Sequence, residues 1–507
     1  MTNSKNFNVF ILLLAAFIFP LPTKAQNTLF YNVRDFGAKG DGLAIDTKSI
    51  DKAIAQASRS GGGTVFFPAG NYLSTTIHLQ SKVSIYLDQG STLIAAAKGY
   101  DFPEENKNDG YQDYGHSHFD NSLIVGTGLH DIAILGPGRI WGRGLLRDTV
   151  PSGSEKGFGN KTISLKLCRN VTLRDFSVLN GGWFVALLNA VDNLVIDNVT
   201  MDTNRDGIDV ISSKNVRITN CLINSPQDDA ICLKSDYALG YPRATENVMI
   251  ANCQVSGYDE GTLLDGTFQT VKKRNRTGRI KLGTESNGGF KNITITNCIF
   301  DYSRGLALET VDGGDLEDII ISNIVLRHIV NSPLFIRLGE RMRAPAGTLP
   351  GKLRRVMISN MIAYDLDPSQ GAFISGTKNN PIEDLTLMNI KFYFKGGGTK
   401  DMRSIRVPEL EKDYPEPVRF GKTPSYAFFI RHLKGLRVND VQTSFDQQED
   451  RFAFSVEHVQ DADFQNIFSR LGKDASLFQL RQVKRIRIQA NSSEKGRYVE
   501  HSNYKIF

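Results

Sequence analysis

The chain has 507 residues, of which 40% are hydrophobic and 22% charged, with 46 glycines and a formal charge of +6. That charge is small and carries no basic-aromatic motif, so a nucleic-acid partner is not expected; it favours an acidic substrate only weakly. A globular chain of this length would divide into domains, whereas a solenoid need not, because each coil touches only its neighbours.

Residues 1–25 place Lys5 before an apolar run over 9–21, then Thr23, Lys24 and Ala25. A charged start, a short apolar stretch and a small residue before a cut predict a signal peptide. The run is too short for an ordinary membrane span, and no Cys follows the cut to carry a lipid. An exported protein, periplasmic or extracellular, with no membrane span is expected.

Residues 26–125 read as an N-terminal cap and first coils. The Gly-rich segment DFGAKGDG from Asp35 predicts a tight turn. Asp46 or Thr47 then caps a helix whose Ile50, Ala53, Ile54 and Ala57 share one face. Gly61, Gly62 and Gly63 end it, and a strand over 64–67 leads to a turn at Pro68. Such a helix covers the open end of a first coil, which otherwise exposes core and unpaired strand edges.

From about residue 126 to the end, one unit recurs. It reads NVTLRDFSV from Asn170, NLVIDNVTM from Asn193, NVRITNCLI from Asn215, NVMIANCQV from Asn247 and NITITNCIF from Asn292, with weaker copies from Asp318, Arg355, Asp384 and Gly435. Apolar and polar residues alternate, turn at Asn or Asp, then alternate again. That period of two predicts short strands, and a turn Asn in the left-handed region at equivalent positions predicts a parallel β-helix with a ladder of stacked amides. The expected fold is therefore all-β: a single-domain solenoid with an N-terminal capping helix. Five cysteines in an exported chain raise the question of disulfides, but the number is odd. Cys221, Cys253 and Cys298 share one position in their units, which predicts an interior column of free thiols. The eight His show no metal spacing, so neither metal nor cofactor is expected.

Two acidic segments lie one repeat apart: NRDGID from Asn204 and QDDAIC from Gln227. If the 22 residues from Asp206 to Asp228 make one coil, Asp206, Asp228 and Asp229 stack on one surface. Three neighbouring carboxylates cannot all ionise freely, so at least one should hold its proton above the usual carboxylate range. A neutral acid beside an ionised base is what glycoside hydrolysis requires. Asp209 reads as an ordinary turn residue. Polar loops near 100–120, 146–160, 258–278, 340–352 and 399–424 are expected to wall a cleft. Basic residues crowd one insertion: Lys272, Lys273, Arg274, Arg276, Arg279 and Lys281. The first three read as a solvated tip. Arg279 and Lys281 alternate along a strand leading to Glu285 and are candidate substrate cations, against bland surface at even odds. Glu285, Arg304 and Glu309 are further substrate-binding candidates, each with an alternative as a turn cap or ion-pair partner. Trp183 would either stack on a sugar ring or pack in a loop. His328 and Arg337 read as surface polar residues.

These residues resemble glycoside hydrolase family 28, the polygalacturonase family. The likeness runs from the entry turn through the GPG at Gly136 and the GRG at Gly142 to about residue 330. It implies a right-handed parallel β-helix that hydrolyses pectic polysaccharide with inversion, its carboxyl groups roughly 6.5–9.5 Å apart. The family's Asn-Thr-Asp matches Asn204, Arg205 and Asp206, with Arg in place of Thr. Its Asp-Asp matches Asp228 and Asp229. The resemblance implies Asp228 as general acid, with Asp206 and Asp229 activating water. Two motifs depart: the Gly-His-Gly slot falls near Gly278 and has no His, and the Arg-Ile-Lys slot reads Ala307, Leu308, Glu309. The expected activity is exo-acting release of galacturonic acid from rhamnogalacturonan or oligogalacturonides by a monomer. Alternatives are a rhamnose-releasing rhamnogalacturonan hydrolase, a Ca²⁺-dependent β-helix lyase, and a non-catalytic carbohydrate-binding β-helix.

Overall fold

The computed structural model describes residues 30–104, 106–112, 115–147, 159–270, 276–489 and 496–507. The proposed signal peptide, and Lys272, Lys273 and Arg274, lie outside the described residues. Among these, 34 strands form one continuous hydrogen-bonded sheet that winds as a parallel β-helix.

In the middle coils each turn carries three strands. Phe184–Asn189, Asp192–Asp197 and Thr200–Asp202 are followed by Asp206–Ile211, Lys214–Thr219 and Leu222–Asn224, and each strand pairs in parallel with its counterpart one coil on. Alternation sets which side faces in. Along Lys214–Thr219, Val216 and Ile218 are buried while Asn215 and Arg217 are exposed. Stacked registers turn this alternation into interior columns: Val171, Leu194, Val216, Val248 and Ile293 follow one another across five coils. Each fully buried aliphatic side chain contributes about 1.5–3 kcal/mol, so the core is a stack of small, repeated gains. Further along, Phe428, Phe454 and Phe478 continue the interior with ring centroids 4.9 and 5.0 Å apart.

The turn amides form the expected ladder. Asn170, Asn193, Asn215, Asn247 and Asn292 have φ between 52° and 58°. Asn193 Nδ2 donates to Asn170 Oδ1 at 2.9 Å, Asn215 to Asn193 at 3.1 Å and Asn247 to Asn215 at 3.1 Å. Cys221, Cys253 and Cys298 are buried, and all five cysteines are free.

The helix Thr47–Arg59 buries Ile50, Ala53, Ile54 and Ala57 completely against the first coil. Asp46 precedes it but makes no capping bond; its carboxylate instead accepts from the Lys39 and Gly40 amides, holding the entry turn. Coiling begins well before residue 126, since Val83–Leu87 pairs with both Gly63–Phe67 and His130–Leu135. At the far end Arg497–Ile506 pairs antiparallel with Phe478–Gln489 and covers the last parallel edge.

Candidate functional site

Successive coils place one outward-facing column where the long loops converge. Leu187, Asp209, Cys232, Lys281 and Ala307 are register neighbours on consecutive coils. Asp206 opens the strand Asp206–Ile211, and Asp228 and Asp229 precede Ile231–Ser235 on the next coil. The coils touch closely here: the Gly207 amide donates to Asp229 O at 3.1 Å, and a Cβ on Gly207 would lie 2.4 Å from Ala230 O, so only glycine fits.

The trio therefore meets, as expected. One oxygen from each of Asp206, Asp228 and Asp229 lies within 4.8 Å of the others. Stacking brings them together, since neighbouring strands sit about 4.8 Å apart. They line a cleft of about 880 Å³ together with Arg279, Lys281 and Arg304. Its walls come from the predicted loops: His116 and Arg147 from two N-terminal ones, Asp259 and Glu260 from the third, and Tyr414 and Glu416 from the 399–424 insertion.

Their charges are set unequally. Asp206 is buried, and burial followed by repulsion from Asp228 and Asp209 pushes its carboxyl well above the usual range. Asp229 is as deeply buried, and burial alone would raise it too; Lys281 and Arg279 outweigh burial and hold it ionised. Arg279 Nε donates to Asp229 Oδ1 at 2.8 Å, and Lys281 Nζ lies 3.5 Å from Asp229 Oδ2. Asp228 is the most open of the three, with its side chain 29% exposed, and it accepts a hydrogen bond from Arg205.

Arg279 and Lys281 are thus neither bland surface nor idle cations. Arg279 also donates to Glu416 Oε1 at 2.7 Å, and Lys281 reaches Glu309 Oε2 at 3.5 Å and Tyr414 Oη at 3.4 Å. Lys281 is the register neighbour of Ala307, so the cationic charge missing from the Ala307 slot sits one coil earlier. Arg304 Nη1 donates to Glu416 Oε2 at 2.9 Å, so Arg279 and Arg304 together pin the 399–424 insertion.

Glu285 and Glu309 correct the expected binding set. Both are buried beneath the cleft rather than lining it. Glu309 accepts from Thr284 Oγ1 at 3.0 Å beside Lys281, and Glu285 Oε2 lies 2.8 Å from His116 Nδ1. Their strands alternate as predicted, but the covering loops turn their outward face into an interior.

Other expectations change similarly. Asp209 is no turn residue: it is fully buried in a strand, 3.5 Å from His116 Nε2 and 3.9 Å from Lys234 Nζ. His116 supplies a cleft imidazole from an earlier loop, whereas the family slot near Gly278 has none. Burial would lower its pKa, but Glu285 and Asp209 raise it to about 9. Trp183 lies beneath Arg205, the guanidinium carbon 3.8 Å from the ring centroid. Arg337 is buried and donates to Ser375 Oγ at 2.9 Å and to Glu409 O at 2.7 Å, so it is not a surface residue. His328 stacks on Tyr302 at 4.2 Å. Sequence reasoning missed His116, Lys234, Tyr414 and Glu416; the only signal for them was that His116, Tyr414 and Glu416 sit in polar loops assigned to cleft walls.

As a cation site the trio is poorly suited, because Arg279 and Lys281 already neutralise Asp229 and Arg205 already engages Asp228. No helix among the described residues is long and apolar enough to cross a membrane.

Comparison with known proteins adds the following. Residues 30–125 match the model of the rhamnogalacturonase A/epimerase, pectate lyase-like family, and residues 161–326 match that of the right-handed β-helix region. A probable polygalacturonase from Vitis vinifera is 28% identical over 306 residues, covering 55% of this chain and 60% of the relative. An exo-poly-α-D-galacturonosidase from Dickeya chrysanthemi is 23% identical over 416 residues, covering 69% of this chain and 65% of the relative. The chain thus spans less than two thirds of the length of these two curated relatives. A family 28 exopolygalacturonase structure from Yersinia enterocolitica superposes with a TM-score of 0.64 at 18% identity, over 86% of this chain and 78% of that one, and shares the fold. With the order and spacing of its acidic coils, these likenesses support a family 28-like right-handed parallel β-helix.

Proposed function

We propose that this protein is an exported glycoside hydrolase that removes galacturonic acid from the end of pectic chains, rhamnogalacturonan or oligogalacturonides. The observation that carries this reading is the split within the acidic trio: Asp206 is pushed above the usual carboxylate range by burial and its acidic neighbours, while Asp229, 2.8 Å from Arg279 and 3.5 Å from Lys281, is kept ionised. A carboxylic acid and a carboxylate facing one cleft are the donor and base of glycosidic hydrolysis.

In this reading Asp229 takes a proton from water as the water attacks the anomeric carbon. The leaving oxygen receives a proton from the Asp206 and Asp228 pair. The resemblance assigns donation to Asp228, the more open of the two, and Asp206 beside it is the one pushed above the usual carboxylate range, so the acid is a property of the pair. Inversion is what the resemblance implies. Terminal attack is supported by the walls: Arg147 pairs with Glu260 across two loops, and Glu416 pins the opposite insertion to Arg279 and Arg304. A volume of about 880 Å³ suits a terminal sugar and its neighbour better than a long open groove.

The relatives named polygalacturonase and exo-poly-α-D-galacturonosidase support the substrate class. A second reading, release of a neutral terminal sugar such as rhamnose, gains from the engagement of both Arg279 and Lys281 with Asp229. The test is incubation with homogalacturonan, rhamnogalacturonan and their oligomers, with products read by mass and the first-formed anomer by NMR. Free galacturonic acid that accumulates from the first minutes is expected. Rhamnose favours the second reading, mixed oligomers mean endo attack, and a Ca²⁺-dependent unsaturated product means a lyase. Retention of all function by the triple Asp206→Asn, Asp228→Asn, Asp229→Asn variant would leave only a binding module.

A further inference from the structure

Arg205 stands where the resembling motif has Thr, and nothing in the acid–base scheme above uses it. Its guanidinium carbon lies over the Trp183 ring, 3.8 Å from the centroid, and the group donates to Asp228 and comes within 3.6 Å of Asp206 Oδ2. It lines the cleft, with its side chain 20% exposed. Two other cations lining the cleft are committed more deeply. Arg279 is locked between Asp229 and Glu416, and Lys281 between Asp229 and Glu309, all with side chains no more than 14% exposed. A buried pair of that kind does not exchange partners readily, whereas a more open one, as Arg205 and Asp228 are at 20% and 29% exposure, does so at lower cost.

We propose that Arg205 is the receptor for the substrate's carboxylate, and that it is handed over from Asp228 to the incoming uronate, so that the acid is released only by a charged sugar. The inference rests on the hydrolase reading for its substrate. Three features carry it. A guanidinium held over an aromatic ring in the cleft wall carries a planar donor fork, which matches a carboxylate with two parallel hydrogen bonds. A sugar carboxylate brought into a partly dry cleft beside three aspartates needs such a cation. An Asp228 oxygen that accepts from Arg205 cannot donate through that contact, so Arg205 has to leave before Asp228 can present a proton to the leaving oxygen. Besides Asp206 and Asp228, the charged and titratable groups lining the same cleft are His116, Arg147, Asp229, Lys234, Asp259, Glu260, Arg276, Arg279, Lys281, Arg304, Tyr414 and Glu416. Arg205 also holds down the proton affinity of Asp206, as a nearby cation does.

The test uses binding and pH profiles, since either can fail alone. Trp141 and Trp183 are the chain's two tryptophans, so a Trp141→Phe background isolates Trp183 emission as a reporter of Arg205 leaving its shelf. Galacturonate, its methyl ester and galactose are titrated in turn. Galacturonate is expected to bind roughly 10- to 100-fold more tightly than either neutral sugar and to change Trp183 emission. Arg205→Gln is expected to level the three affinities, and Arg205→Lys to restore part of the preference, with unchanged circular dichroism showing that both fold. The alkaline limb of kcat/KM is expected to move to higher pH in Arg205→Gln, because Asp206 keeps its proton longer. Equal affinities in the parent, no saturable binding of galacturonate, or an unchanged preference in Arg205→Gln overturns the inference. A galacturonate preference without any hydrolysis would sink the proposed function and leave this one standing.

Discussion

Replacing Arg279 by Met tests whether the buried cations serve Asp229 or the substrate. The side chain is 1% exposed and bonds Asp229 and Glu416 at 2.8 and 2.7 Å. Met fills similar space without charge, so Asp229 keeps only Lys281 at 3.5 Å, while Glu416 keeps Arg304. Breaking one side of a buried ion pair costs about 3–5 kcal/mol of stability. At an effective dielectric of about 20, a unit pair about 4 Å apart is worth about 4 kcal/mol, which caps the rise in the Asp229 pKa at about three units. Lys281 and local relaxation reduce that, so a shift of about one to two units is expected. The sign follows from the depressed folded pKa. The Asp229 carboxylate contributes its stability above its unfolded pKa of about 3.9 and loses it as pH falls through the lower folded value. In Arg279→Met the base therefore protonates at higher pH, and the acid limb of kcat/KM moves toward neutrality. Initial rates on a pectic oligomer across pH, with thermal melting on the same samples, read both effects. An acid limb that stays in place while KM for a charged substrate rises would show that Arg279 grips substrate instead, and the counter-ion argument would be wrong.

His116, with its pKa raised to about 9, contributes stability that is complete below about 6.5 and is lost as pH rises through 9. The melting temperature of the native chain should fall across that window relative to His116→Gln, and parallel curves would refute the Glu285–His116–Asp209 pairing. Glu416→Gln removes the negative charge, and one of the two acceptor oxygens, that Arg279 and Arg304 share. It should expose residues 399–424 to limited proteolysis and lower kcat/KM, and an unchanged cleavage pattern would argue against the strap. Asn215→Ala forces alanine to a φ of 58° and breaks amide bonds to both neighbouring coils. About 2 kcal/mol of destabilisation is expected in urea, with Asn215→Gly intermediate because it relieves the backbone alone.

The sequence alone determined the solenoid, because a β-helix is written in local terms. Alternation over Lys214–Thr219, the turn Asn215 and the thiol Cys221 each depend on neighbours in the chain, and the repeat spacing converts those local facts into columns. The same spacing brought Asp206 to Asp228 and Asp229, since one coil separates them and stacking does the rest. Tertiary structure alone decided everything that enters from outside the coil stack. His116 and Glu416 reach the site across sequence separations that no period predicts. The loops that carry them cover an outward strand face, and that covering buried Asp209, Glu285 and Glu309 where alternation placed them at a surface. Burial then set the chemistry: Lys281 and Arg279 hold Asp229 ionised, while at Asp206, a few ångströms away, desolvation and repulsion from Asp228 and Asp209 outweigh Lys234 and Arg205 and raise its proton affinity. Charge state depends on desolvation and on partners brought together by folding, and neither is a property of a residue's place in the chain.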